Sequence, residues 1–432
     1  MSVQDDRVRR LRDRLRDLER ERAAIEAEIA GLDAGTVGEN AAPAPTPPQP
    51  SIEPAATLDQ RAKVELFLGL FRGRADVFPR GWENHKAGKS GYAPACANEW
   101  KHGICDKPHV KCSACPNQAF LPVTERMVAH HLRGQDPDGA AFVAGVYSVL
   151  PDDTCWFLAV DFDEADWRRD VQAFAHSCWA WNVPVSIERS RSGNGAHAWI
   201  FFEAPVAAAL ARRLGSALIT ETLDRVPDIG FASYDRLFPS QDSVPDGGFG
   251  NLIALPLQGL ARRAGNSLIL DETLNPHEDQ WGYLAGVRRL GTRALEDLVE
   301  AASAAGRILA VRIPVDGDDE APWMAPPSRR RGAATITGPV PNRLTVVIAD
   351  QIYVPRAQLL GGLVARLMRL AAFQNLEFYA AQAMRLATHD KPRIVSCAEL
   401  TANHIGLPRG CQDVALDLLA SLGRPPGRRR DH

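Results

Sequence analysis

Asp161 and Asp163 follow an apolar run, Thr154 to Val160 (TCWFLAV). The run reads as a buried strand, whose period of two puts both carboxylates on one face. Two ionised carboxylates that close repel unless a cation lies between them. Mg²⁺ and Mn²⁺ take oxygen ligands of this type. For an isolated Asp-x-Asp, a strand end entering solvent is the plainer account. A second group is Ser190, Arg191, Ser192, Gly193, Asn194 and Gly195, followed by Ala196 and His197. Backbone N–H groups of such a loop can converge on an anion. Arg191 adds charge, and His197 is placed to donate to a phosphate. In isolation, a hairpin with an exposed Arg and a satisfied His explains it as well. No helix opens after the loop, so the glycine pattern of a dinucleotide fold is missing.

Four cysteines, Cys96, Cys105, Cys112 and Cys115, form the pattern C-x8-C-x6-C-x2-C. Four soft ligands in one short segment suit tetrahedral Zn²⁺ and leave no open position, so such a zinc is structural. His102 and His109 are possible substitutes, and four free thiols are the alternative. Lys86, Lys89, Lys101, Lys107 and Lys111 surround the segment and suit a phosphate backbone. Tyr234 to Asp242 (YDRLFPSQD) adds two more carboxylates, Asp235 and Asp242.

These groups need elements to hold them. The chain has 432 residues, 45% hydrophobic and 24% charged, with 53 acids against 50 bases. That suits two or three globular domains and excludes a globally basic nucleic-acid binder. No apolar run reaches the ~18 residues of a membrane span. The charged, helical start does not read as a signal peptide, and one cysteine cluster beside four scattered cysteines suits the cytoplasm.

Residues 1–32 carry a heptad seam (Val8, Leu11, Leu15, Leu18, Ile25, Ile29 and Leu32) that Arg22 interrupts. It predicts a short coiled coil and a homo-oligomer; a lone solvated helix is the alternative. Residues 33–57 are a Pro/Ala-rich linker. A mixed α/β body spans 58–298, with strands over 154–160, 183–188, 197–202, 251–257 and 267–270 and a helix over 206–223. A linker over 299–342, a small C-terminal domain over 343–423 and a basic tail over 424–432 follow. In the small domain, 344–352 reads as strand, and 359–385 and 413–422 as helix.

In order, the chain gives a cysteine knuckle, Asp-Phe-Asp, Ser-x-Gly-x-Gly-x-His-like spacing and a further Asp. This order resembles the archaeo-eukaryotic primase superfamily. The subgroup of TOTE conflict systems is closer still, through Phe71-Arg-Gly-Arg-Ala-Asp-Val-Phe78, Gly91-Tyr-Ala-Pro-Ala-Cys-Ala-Asn98, Cys112-Ser-Ala-Cys-Pro-Asn117, Glu188-Arg-Ser-Arg-Ser-Gly-Asn-Gly195, Phe238-Pro-Ser-Gln-Asp242 and Gly250-Asn-Leu-Ile-Ala-Leu-Pro-Leu-Gln258.

The resemblance implies an α+β fold: a primase core with an RRM-like mixed sheet and flanking helices. An inserted zinc knuckle (96–115), the N-terminal coiled-coil helix and a small C-terminal α/β domain would complete it. It implies templated nucleotidyl transfer on single-stranded DNA or RNA from NTP or dNTP. Asp161, Asp163 and Asp235 would hold two Mg²⁺ or Mn²⁺ ions, with Asp242 competing for the third place. His197 would contact the triphosphate, within a nucleotide-binding loop of Ser190, Arg191, Ser192, Gly193 and Gly195. Ala196 stands where glycine is expected. Arg262 and Arg263 are candidates for holding phosphates. The chain carries no Walker A pattern, so a helicase or nuclease is expected to act in trans. A gap-filling polymerase of the same fold, or a zinc-containing binding module without activity, are the competing readings.

Overall fold

The computed structural model describes residues 58–84, 88–163, 165–230, 233, 235–309, 344–357, 359–386, 388, 391–421 and 427–430. The expected coiled coil (1–32), the linker (33–57) and most of the second linker and the tail lie outside the described residues.

The body opens with helix α1 (Gln60–Leu70), whose first turn is capped by Asp59 accepting from Ala62 N–H. A hairpin follows, β1 (Pro79–Asn84) with β2 (Lys89–Pro94). The cysteine-bearing segment is loop with one 3₁₀ turn, Cys112–Ala114. Helix α2 (Glu125–Arg133) starts at a Thr124 cap and stops at Gly134, which has φ +87°. Next come β3 (Gly145–Tyr147), β4 (Thr154–Phe162), α3 (Trp167–Ala180), β5 (Ser186–Arg189), β6 (Ala196–Ala207) and α4 (Ala208–Arg225). The order continues with β7 (Leu237–Phe238), β8 (Leu252–Ala254), α5 (Gly259–Arg263), β9 (Ile269–Leu270), α6 (Gln280–Ala285) and α7 (Thr292–Ala304).

The central sheet has the order β7-β4-β6-β5-β9, with every neighbouring pair antiparallel. Alternation sorts its side chains into two apolar layers. Leu158, Val160, Ala198 and Ile200 join one core with α3 and α4. Phe157, Ala159, Trp199 and Phe201 join the other, with α1 and α2. A strand covered on both faces reads as a continuous apolar run, which is why TCWFLAV shows no polar alternation.

The C-terminal residues form β10 (Thr345–Ile348), β11 (Ile352–Pro355), α8 (Gly361–Leu370), β12 (Ala372–Gln374), α9 (Leu376–Ala383), β13 (Ile394–Ser396), β14 (Glu399–Leu400), β15 (His404–Leu407), α10 (Gln412–Ser421) and β16 (Gly427–Arg430). Their main sheet runs β14-β15-β11-β10-β16. Val346, Ile352, Leu363, Leu367, Ile405 and Leu418 belong to the same buried cluster as α3, α4 and one face of the central sheet. No discrete C-terminal module is therefore distinguishable by packing; the architecture is mixed α+β.

Two local expectations change. The helix expected over 359–385 is broken, because Ala372–Gln374 pairs with β13 and Asn375 caps a new helix by accepting from Glu377 N–H. The helix expected from 206 begins at Ala208, since Val206 and Ala207 still pair with β4.

Candidate active site

The two carboxylates sit where β4 runs out between its neighbours. Asp161 lies opposite His197 of β6, and its N–H donates to Arg236 O, extending the β4–β7 ladder by one step. By parity Asp161, His197 and the β5 residue opposite it, Glu188, share the face covered by α1 and α2. Arg236 Nη1 reaches Asp163 Oδ2 at 2.6 Å and Asp161 Oδ2 at 3.8 Å. A guanidinium thus stands between the two acids, as a cation must. Burial pushes the Asp161 carboxyl above its ordinary range and Asp163 adds to this, while His197 and Arg236 oppose it.

The Ser190–Gly195 loop is a closed hairpin turn: Ser190 N–H donates to Gly195 O, and Gly193 N–H to Ser190 O. Its hydroxyls are used within the loop, Ser190 Oγ lying 3.1 Å from Ser192 Oγ and Ser192 Oγ accepting from Asn194 N–H. Arg191 pairs with Glu83 of β1 at 3.5 Å. Gly195 is required by close approach, because a Cβ there would lie 2.6 Å from Phe162 O and 3.2 Å from Asp163 Cα. The loop and the Asp-Phe-Asp strand end therefore touch backbone to backbone.

His197 is 8% exposed and lies between two carboxylates. Its Nδ1 is 2.9 Å from Glu188 Oε2, and its Nε2 is 3.6 Å from Asp161 Oδ1. Burial favours the neutral ring, but Glu188, Asp161 and Asp163 outweigh it and raise the imidazole pKa. Glu188 has no role in the sequence expectation, although hairpin closure around 190–195 sets residue 188 opposite residue 197. The sequence expectation falls on Asp235, whereas its neighbour Arg236 stands beside Asp161 and Asp163.

The other candidates are held elsewhere. Asp235 accepts from Arg393 N–H at 3.0 Å and Arg393 Nη1 at 2.8 Å. Arg393 comes from the C-terminal residues and is 2% exposed. Asp242 pairs with buried Arg212 and accepts from Gln382 Nε2 at 2.8 Å. Cys96, Cys105, Cys112 and Cys115 all line one small cavity of about 20 Å³. Arg262 and Arg263 reach the last carbonyls of α2, those of Leu132 and Arg133. Among the described residues, no three His, Cys, Asp or Glu side chains are grouped as a metal's ligands.

The donor chemistry at the strand end nevertheless fits a hard divalent cation. Asp161 and Asp163 offer oxygens on one side of the sheet, and a positive guanidinium group is already accommodated between them.

Residues 62–298, more than half of the chain, match the family model described as TOTE conflict system, Archaeo-Eukaryotic Primase domain. No curated protein matches the chain. Among solved structures, the AEP domain of the cyanophage S-2L primase-polymerase is similar at 14% identity, with 52% of this chain and 97% of that chain covered and a TM-score of 0.23.

Proposed function

The chain belongs to the archaeo-eukaryotic primase family of TOTE conflict systems, and from that premise we propose that it is a metal-dependent primase–polymerase copying a single-stranded template. Family membership supports nucleotidyl transfer in general. One observation carries the finer reading: within the matched span, Asp161, Asp163 and His197 meet at one sheet end. Gly195 presses the loop before His197 against the backbone of Asp163.

Asp161 and Asp163 would hold divalent ions, Mg²⁺ or Mn²⁺. Two such ions would supply activation of a 3′-hydroxyl and neutralisation of the leaving pyrophosphate. His197, with the Ser190–Gly195 loop, holds the triphosphate. Asp235, preferred to Asp242 as the third acid, must first exchange Arg393 for the metal. Arg236 must likewise leave Asp163 when a metal enters, and its 33% exposed side chain has a solvent route.

Zinc at Cys96, Cys105, Cys112 and Cys115 is part of this proposal, supported by their common cavity. The cytoplasm is the proposed compartment, in line with one cysteine cluster beside four scattered cysteines. No helix among the described residues is long and apolar enough to cross a membrane. Oligomerisation through residues 1–32, a helicase or nuclease acting in trans and a role in conflict or defence belong to the same proposal.

The test mixes protein, single-stranded DNA, labelled NTP or dNTP and Mn²⁺ or Mg²⁺, beside an Asp161→Ala/Asp163→Ala double variant. Products formed without a primer and lost in the variant are expected. Products only with a primer would move the reading to gap filling. No product under any condition would favour a binding module.

A further inference from the structure

Glu188 is 1% exposed, and a buried carboxylate is costly unless paired and fully bonded. Its Oε2 takes His197 Nδ1 at 2.9 Å and Trp199 Nε1–H at 3.0 Å, and its Oε1 accepts from Ser267 Oγ at 3.3 Å. Among these partners only His197 can carry positive charge. The cage draws on three strands' worth of sequence: β5, β6 and the residues just before β9. Ser267 itself has φ +53° and is bonded across the turn to Leu257, which has φ +60°. Two non-glycine residues in left-handed conformation are strained and persist where the surroundings over-determine them.

A carboxylate on one imidazole nitrogen decides what the other can do. With Glu188 accepting at Nδ1, that nitrogen keeps its proton, and Nε2 is left on the side of Asp161. We propose that Glu188 is the positioning residue of this site: it accepts from Nδ1–H and fixes the plane of His197, so that Nε2 faces the nucleotide phosphates. The proposal rests on the reading that His197 meets a triphosphate. Glu188 touches no substrate and acts only through His197. Trp199 and Ser267 hold the carboxylate still, as outer partners do for ligating histidines.

The experiment compares Glu188→Leu, Glu188→Gln, His197→Ala and the double variant Glu188→Leu/His197→Ala. The affinity for a fluorescent NTP and the KM and kcat of primer extension are measured. Nitrogen-15 histidine spectra at alkaline pH report the His197 tautomer. Glu188→Leu is expected to weaken nucleotide affinity ~10-fold or more and to lose the Nδ1–H preference. Glu188→Gln, whose amide oxygen still accepts from Nδ1, keeps the tautomer and recovers most of the affinity. In the His197→Ala background, Glu188→Leu adds nothing. Fully additive losses, or a tautomer unchanged by Glu188→Leu, overturn the proposal. If His197→Ala leaves nucleotide affinity intact while Glu188→Leu still changes the tautomer, positioning stands and the triphosphate role of His197 falls.

Discussion

Gly195 shows how much one atom decides at this site. An added methyl meets the Phe162 carbonyl at 2.6 Å, and that backbone carries Asp163. Gly195→Ala is expected to displace the strand end and cut incorporation ~100-fold, the scale set by misplacements of about 1 Å. The check is primer extension alongside an unchanged circular dichroism spectrum; wild-type activity would refute the contact. His131 is the clearest acid-sensitive group. It is fully buried, accepts from Ala144 N–H at Nδ1 and donates from Nε2 to Pro256 O at 2.9 Å. Burial brings it from 6.5 down to about 4, against the bond to Pro256 O. Above pH 6.5 the ring is neutral folded or unfolded. As pH falls from 6.5 toward 4 only the unfolded ring takes up a proton, so stability is lost across that window, by about 3 kcal/mol. Urea midpoints against pH should show this loss, and His131→Gln should flatten it.

At the scale of elements, the cysteine segment and the central hairpin differ in what holds them. β5 and β6 are joined by a closed turn and buried on both faces, so their register is over-determined. Residues 96–115 have one 3₁₀ turn, and all four cysteines are only partly buried. Such a segment is held mainly by turn hydrogen bonds, and a zinc on its four cysteines would add a crosslink. Cys112→Ser is therefore expected to lower bound zinc below one per chain and to shift the melting temperature down by several degrees. Metal analysis of purified protein checks it, and an unchanged zinc content would remove the knuckle assignment. Strand β4 and the 190–195 loop were legible because burial and turn chemistry are local. The break within 359–385 was not, because Ala372–Gln374 becomes a strand only through its pairing with β13.

For the whole described body, the deciding fact is a shared core. Leu367 of α8, 0% exposed, belongs to the same cluster as Leu158, Leu214 and Val346. Leu367→Ala should cost about 2–5 kcal/mol. It should lower one cooperative transition for the body, rather than melt the C-terminal residues alone. Calorimetry of the variant decides between the two, and a separate early transition would mean that the C-terminal part folds by itself. The same packing explains the fate of Asp235. Leu237 faces the core that the C-terminal residues share, Arg236 turns to the opposite face, and Asp235 is taken by Arg393.

The sequence alone determined the chemistry on offer and its order along the chain. Asp161 takes its face because a strand has period two, Asp163 follows one residue past the end of β4, and His197 follows a turn because glycine and serine make one. The motif order was enough to point to the primase family. Only the tertiary structure decided which groups meet. Whether Arg236 or Asp235 joins Asp161 depends on the register of β7 against β4, and that pairing spans some seventy-five residues. Whether Glu188 is a surface acid or the buried partner of His197 depends on the residues at 199 and 267 closing over it. Local periodicity carries no information about such distant partners.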